Sequence, residues 1–496
     1  MGVIQRQGIK FSIVNYVGLF IGIINIFIYQ KAYEQYGLLN FLTNTAAFLA
    51  PFMLLGSHGL AIRFFPQFQN KKLDNNGLLG FLLLWCLAGL GLFVTVYWLW
   101  GQQFLPSLRW VGINPDLFQT YDKTIGILSA CVLVQTLLQF YTTNFNRIVI
   151  PSVLYEVLIK LTMPLLILLF VNQLIDTKGL TLGLVIHFSL ITALGLIYLW
   201  SIGGLNLKLN RAAYPKPVLK EMAQYAGYVS IGGLGTVLAL RMDTILVSAM
   251  IGLVENGIYS IIGLVAQTIE IPSRAIVRIS GPIIAQAYQK GETGEVKKLY
   301  KQSSLLLLTL GLYTFIGVWA CTDDIFKMMK NGDALIAGKN IMLFLGLGRI
   351  VESSFNLNNQ ILQLSPYFRW TFISVLLLGV FAVSFNLMLI PAFQLTGAAM
   401  GMCLALVLFN LIKVGIIAIK LRFHPFSWKM ALVIGIAVIS WLILELLPFP
   451  AWPPLILVLF KGILLTAFYF GIILSFRIVP ELNQLLAASF AKIKKD

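Results

Sequence analysis

Charge is what this sequence has least of. Only 11% of its 496 residues are Asp, Glu, Lys or Arg, against about a quarter in soluble globular chains, and the mean hydropathy is +0.86. That balance excludes an ordinary soluble domain. Cysteine is scarce too: Cys86, Cys131, Cys321 and Cys403 fall in separate apolar segments without CxxC spacing, which indicates neither a disulfide framework nor a zinc site. The three histidines, His58, His187 and His424, are scattered, and the sequence has no phosphate loop, HExxH pattern or nucleophile motif. Enzymatic chemistry finds no support in these residues. A cleavable signal is missing as well. The first apolar stretch, Ile9 to Tyr29, ends at Gln30-Lys31 without a small-x-small pattern, so it reads as a first membrane helix.

What the chain does have is apolar length. A helix needs about 20 residues to cross the hydrocarbon core. With charges, Pro and Gly as punctuation, spans are expected near 9–30, 38–62, 78–100, 124–143, 149–172, 180–201, 225–250, 256–285, 302–322, 337–363, 369–390, 395–419, 429–447 and 455–476. The fold class expected is an all-α membrane protein of about 14 transmembrane helices. With both termini on the cytoplasmic side, 22 of the 36 basic residues fall on inner loops and tails, 7 on outer loops and 7 inside spans. This asymmetry fits the positive-inside rule. The net charge of +17 therefore needs no nucleic-acid partner, because a basic inner rim suits anionic membrane lipids.

The longest inner connection, around Asn206 to Ala223, carries four basic residues and two prolines and reads as a linker between halves. Three matches at nearly one offset support that cut. Tyr36-Gly37-Leu38 returns as Asn256-Gly257-Ile258-Tyr259; Gly179-Leu-Thr-Leu-Gly183 returns as Gly397-Ala-Ala-Met-Gly401; Arg147 corresponds to Arg369. The expected organisation is an N-terminal six-helix lobe at 1–203, a cytoplasmic linker at 204–222 and a C-terminal six-helix lobe at 223–420. Two additional transmembrane helices and a basic cytoplasmic tail follow at 421–496. Two lobes related by a pseudo-two-fold repeat are a recurring transporter architecture, and such a chain can work as a monomer.

Several charges fall where lipid should reject them, at about 2.5–3.5 kcal/mol each by insertion scales. Arg241 and Asp243 lie near mid-depth in span seven, two residues apart and so on different sides of a helix. In span eight Glu270, Arg274 and Arg278 recur every four residues around Pro272, a charged stripe along one face. Span ten adds Arg349 and Glu352, three residues apart. Glu156 and Lys160 in span five, spaced i,i+4, are expected to form a structural pair. Lys413 and Lys461 lie nearer span ends, from which long side chains can snorkel. Surplus guanidinium groups at low dielectric suit phosphate oxygens, which they bind bidentately. Arg241, Arg274, Arg278 and Arg349 are thus the expected anion-binding residues. Asp243, Glu270 and Glu352 are the acids available for gating or for a coupling proton or sodium ion. Pro51, Pro272, Gly281 and Pro282 are candidate hinges, and His58 is a candidate cap.

The steps Arg241-Met-Asp243, Glu255-Asn-Gly257-Ile-Tyr259-Ser and Asn386-Leu-Met-Leu-Ile-Pro391-Ala-Phe-Gln-Leu-Thr-Gly397-Ala-Ala resemble the polysaccharide transporter branch of the multidrug, oligosaccharidyl-lipid and polysaccharide exporter superfamily. Tyr36-Gly37-Leu38 and Gly59-Leu-Ala-Ile-Arg63-Phe-Phe-Pro66 resemble the same branch. The resemblance implies an O-antigen or exopolysaccharide repeat-unit flippase of the bacterial inner membrane. Its cargo would be a polyprenyl-pyrophosphate-linked oligosaccharide, carried by alternating access through two lobes around a central cavity, with other glycan-assembly membrane proteins as candidate partners. Lipid II flippases of the superfamily carry arginine in their first span, where this chain has only Lys10. Cation-coupled multidrug exporters are the closer alternative, and the surplus mid-depth arginine favours an anionic cargo over theirs. A membrane glycan polymerase or ligase would call for a large outer loop; the longest here, around residues 101–123, is short.

Overall fold

The computed structural model describes residues 14, 17–18, 20–69, 75–145, 149–210 and 213–483, with side chains except at Gln102, Ala275 and Arg278. Lys10, Arg147 and the basic tail lie outside the described residues. Every regular element among those described is helical. Ten of these helices are long and apolar enough to cross a membrane, and an eleventh is added if the bent segment Leu253–Arg274 plus Ile279–Gln289 is one span.

The expected count of fourteen differs from ten or eleven because several spans are interrupted or short. Phe20–Tyr29 is a shorter apolar helix, and span ten is split into Lys339–Ser354 and Leu357–Leu364. The continuous assignment Arg369–Leu421 contains Gln394 at φ 53°, ψ −131°. At that residue the chain folds back on itself: a Cβ on Gly397 would stand 2.1 Å from the Leu389 carbonyl oxygen, and one on Gly401 would stand 3.1 Å from the Asn386 amide nitrogen. Residues 369–393 and 395–421 therefore form a helical hairpin, and the small residues of Gly397-Ala-Ala-Met-Gly401 allow its arms to meet. The matching Gly183 likewise faces Leu166 of the preceding helix, 2.5 Å from an added Cβ. The two repeats thus use corresponding glycines in corresponding crossings.

The chain packs as two units, Met1–Ile261 and Ile262–Asp496. In the first, the Tyr33–Leu54 helix is central, packing on Leu78–Val96, Asp122–Thr143 and Lys216–Met250. Because that last helix joins the first unit, packing divides the chain after Ile261 while the sequence repeat divides it at the linker. The linker is held to the same unit, with the Tyr214 ring stacked on Phe68 at 4.9 Å and on Phe81 at 4.6 Å. In the second unit Lys339–Ser354 packs on Arg369–Leu421 and on Thr293–Lys327, which also carries the C-terminal helices Trp428–Leu446 and Pro454–Ser475.

Of the expected breakers, Pro51 and Pro272 lie beside interruptions, whereas Gly281 and Pro282 lie inside a helix. Pro51 lies within Tyr33–Leu54, and four residues later Leu55 and Gly56 both take left-handed backbone angles before Ser57–Arg63 resumes the helix. The Leu55 carbonyl freed there accepts a hydrogen bond from Trp85 Nε1 at 3.1 Å, the kind of replacement that makes a broken membrane helix tolerable. His58, expected as a cap, has its Nδ1 buried without a hydrogen-bond partner among the described residues and rests on the Phe140 ring at 5.2 Å. Pro272 stands in the first turn of Ile271–Gln289, directly after the 3-10 turn Gln267–Glu270, and Pro282 lies inside that helix. The axis bends by 43° between Leu253–Arg274 and Ile279–Gln289.

Candidate anion site and its counter-charges

Glu270 is placed by the break in its helix. A 3-10 turn ends on it, and its carboxylate accepts a hydrogen bond from Arg349 Nη1 at 2.7 Å and lies 3.9 Å from Arg274 Nη2. The two contacts are unequal. Glu270 and Arg349 are 13% and 20% exposed and form a short, charge-assisted pair, whereas Arg274 stays 55% exposed at the limit of contact. Glu270 thus faces two guanidinium groups, of which the more accessible is the Arg274 fork. Asn356, at the break of span ten, donates to Ser273 Oγ at 3.1 Å, and Ser273 donates to the Glu270 carbonyl at 2.8 Å. The two interrupted spans of the second unit are therefore tied together beside the cluster. Arg278, the next member of the stripe, has its side chain outside the described residues.

In the first unit Arg241 and Asp243 take separate partners, as their spacing dictates. Arg241 Nη1 donates to Asn44 Oδ1 at 2.7 Å, and Asp243 Oδ2 accepts from the Tyr259 hydroxyl at 3.0 Å. Both of these hydrogen-bond partners are neutral, and Arg241 is exposed. Glu156 lies in a π turn, Val153–Val157, near Gln139 Nε2 at 3.4 Å, while the Lys160 carbonyl accepts from Asn25 Nδ2 at 2.5 Å. A π turn holds more than 3.6 residues, so the i,i+4 register that the sequence spacing implies is a weaker guide there.

Glu352 accepts from Asn410 Nδ2 at 2.6 Å. Lys413 corrects the snorkelling expectation: it is 0% exposed, donating to Asn359 Oδ1 at 3.2 Å and lying 3.5 Å over the Phe409 ring. Lys461 is also inside, paired with Asp324 at 2.6 Å, and Lys339 pairs with Asp323 at 2.7 Å. The sequence reading missed Asn44, Tyr259, Asn359 and Asn410 as partners of buried charge. A usable signal existed only for Asn410, which shares a helix face with Lys413 three residues on. Among the described residues no three His, Cys, Asp or Glu side chains could together hold a metal ion.

The residues Tyr33 to Tyr36 and Leu253 to Gly257 cross at backbone contact. A Cβ on Gly37 would lie 1.8 Å from the Leu253 carbonyl oxygen and 3.0 Å from the Gly257 nitrogen, and one on Gly257 would lie 2.1 Å from the Tyr33 carbonyl oxygen. Asn256 Nδ2 donates to the Gly37 carbonyl at 2.9 Å. The two glycines are the pair related by the repeat, so each copy of one sequence element packs on the other.

No protein-family model matches the sequence, and no curated protein matches it. Solved structures do. The chain is similar to the lipid II flippase MurJ in an inward closed conformation, at 13% identity and a TM-score of 0.67, over 95% of this chain and 100% of that one. It is also similar to an inward-facing multidrug resistance MATE family transporter of the MOP superfamily, at 14% identity and a TM-score of 0.56, over 84% and 95%. A third is a point mutant of the Vibrio cholerae MATE transporter VcmN, at 12% identity and a TM-score of 0.51, over 85% and 98%. The protein thus has the all-helical membrane fold of these flippase and exporter structures.

Proposed function

We propose that the protein is a flippase that moves a polyprenyl-pyrophosphate-linked oligosaccharide, an O-antigen or exopolysaccharide repeat unit, across a bacterial inner membrane by alternating access. Fourteen spans with both termini cytoplasmic belong to this reading, as does action as a monomer. The observation that carries it is the accessible guanidinium of Arg274 beside the short Glu270–Arg349 pair. A pyrophosphate can take the donors of Arg274 bidentately and draw Arg349 from Glu270, and Arg278 is the next cation along the same helix. The likeness to a lipid II flippase over nearly the whole of both chains supports a lipid-linked cargo. Arg241, held by the neutral Asn44, is a further accessible cation. Asp243, Glu270 and Glu352 are the acids that can exchange partners or accept a coupling proton or sodium ion during the cycle.

The test is reconstitution in liposomes with a fluorescent polyprenyl-pyrophosphate oligosaccharide and, separately, a cationic dye. Flipping of the lipid without transport of the dye is expected. Transport of the dye alone would overturn the reading in favour of a cation-coupled multidrug exporter. Arg274→Ala should lower flipping about tenfold or more, because a hydrogen bond to a charged group contributes about 1.5–3 kcal/mol, with protein abundance unchanged. Arg274→Lys should recover only part, lacking the fork. Wild-type flipping in Arg274→Ala would remove it from the site. If coupling runs through Glu270, flipping by Glu270→Gln no longer responds to collapse of the ion gradient, and an unchanged response rejects that role.

A further inference from the structure

We propose that residues 97–111, which follow span three, form an aromatic anchor that lies in the headgroup region of the bilayer. The position follows from length. The helix Leu78–Val96 begins directly after the left-handed Gly77, and a span of about 20 residues counted from Leu78 ends at Tyr97. There the α-helix gives way to the π turn Tyr97–Gly101, the short helix Gln102–Ser107 and the 3-10 turn Leu108–Val111. Five aromatic residues, Tyr97, Trp98, Trp100, Phe104 and Trp110, fall in this segment, and three are tryptophans, of only ten in the chain. All five are exposed, Trp98 at 77% and Trp110 at 92%.

Water is a poor surrounding for such a cluster, since tryptophan is highly buried on average. Hydrocarbon is poor as well, because each indole carries an N–H donor and Arg109 carries a charge. The interface meets both demands. Trp and Tyr are enriched there because the ring enters the apolar boundary while its polar tip reaches water. The exposed aromatic face also continues the exposed apolar residues Leu87, Leu92 and Val94 of the helix before it, which is long and apolar enough to cross a membrane. Charge contributes little. Arg109 is the one charged residue of the segment, and it pairs with the exposed Asp116 at 2.8 Å. The far end of the segment is tied down: the Ile113 amide donates to the Leu108 carbonyl at 3.1 Å, and the Asn114 amide donates to the Ala249 carbonyl, at the end of Lys216–Met250, at 2.8 Å. The anchor is thus attached to the ends of spans three and seven. It requires only that span three cross a bilayer and is independent of the cargo.

The experiment reconstitutes the full chain in phosphatidylcholine vesicles that carry a nitroxide quencher either near the ester linkage or near the end of the acyl chain. A third sample has iodide in the water on both sides of the membrane. Signals are assigned by difference, as wild-type fluorescence minus that of Trp110→Phe, and likewise for Trp98→Phe and Trp100→Phe, each of which keeps a ring in place. The differences should be quenched most by the shallow nitroxide, less by the deep one and little by iodide. Replacing part of the phosphatidylcholine by phosphatidylglycerol should leave them unchanged. Strong iodide quenching without lipid quenching would place the rings in water, and strongest quenching by the deep nitroxide would place them in hydrocarbon. Protection from all three quenchers would show that a protein, such as a second copy of this chain, covers the segment. Each of these results overturns the proposal, as does shallow quenching that appears only with phosphatidylglycerol. Should Trp110→Phe fail to fold, Trp98→Phe and Trp100→Phe give the same reading independently.

Discussion

Gly257→Val is expected to eliminate the proposed flipping, and Gly37→Val to do the same, with both proteins still present in the membrane. The atoms an added side chain meets are backbone oxygens, Tyr33 at 2.1 Å and Leu253 at 1.8 Å, and a carbonyl in a helix cannot swing aside as a side-chain tip can. The helices must part by more than an ångström, and the Asn256–Gly37 hydrogen bond of 2.9 Å is then lost. Overpacking costs about 1–3 kcal/mol and the buried Asn256 amide, left without its acceptor, about another 1–3 kcal/mol. If alternating access requires this crossing to close in one state and open in another, the whole cost falls on the closed state. A bias of that size shifts the population of two states on the order of 10- to 10⁴-fold. Even Gly→Ala carries the clashing Cβ and should be severe. Gly263 provides the control, since nothing lies within 4 Å of an added Cβ there, and Gly263→Ala should transport normally. Flipping assays with quantified protein decide the matter: normal transport by Gly37→Ala and Gly257→Ala would show that the crossing does not have to close as tightly as the structure draws it.

How much of this was legible in the sequence depends on the range over which a signal acts. Apolar length is local, so most spans appear where they are expected, and the hairpin at Gln394 was readable from Pro391 and the Gly397 motif that end one helix and begin the next. Helix breaks are also local: Pro51 and Pro272 each lie beside an interruption. The broken tenth span carried no such mark, because Phe355 and Asn356 are ordinary residues and the interruption there is accompanied by tertiary contacts such as Asn356 with Ser273. The partners of buried charge were the least legible part. Glu270 and Arg349 are far apart in sequence, as are Arg241 and Asn44, and a single sequence gives no reason to prefer those partners. Spacing is a weaker guide at Glu156, which lies in a π turn. It misled at Lys413, whose distance from the span end says nothing about the surrounding Asn359, Phe409 and Glu352. The repeat, by contrast, told more than expected: its matching glycines mark contacts in both halves, and one matching pair touches itself.

Lys461→Met should be among the most destabilising single changes in the second unit, and combining it with Asp324→Asn should recover most of the loss. Lys461 and Asp324 are 15% and 8% exposed and 2.6 Å apart, and the ammonium also donates to the Ala320 carbonyl at 3.0 Å beside the Phe449 ring. The pair joins Pro454–Ser475 to Thr293–Lys327, which otherwise share uncharged contacts such as Tyr313 with Thr466, Tyr469 with the Thr309 carbonyl and Cys321 with the Val458 carbonyl. In a membrane, apolar contact between helices contributes little beyond what lipid would offer, so directional polar contacts carry more of the specificity of docking. Removing one partner of a buried pair typically costs about 3–5 kcal/mol, because the remaining charge has lost its counter-ion, whereas removing both charges can be nearly neutral. The expected signature in thermal unfolding is therefore a large loss for Lys461→Met, a comparable loss for Asp324→Asn, and a double variant well above the sum of the two. Additive losses would show that the two residues act separately. A Lys461→Met variant as stable as the wild type would show instead that the C-terminal helices are held by their apolar faces alone.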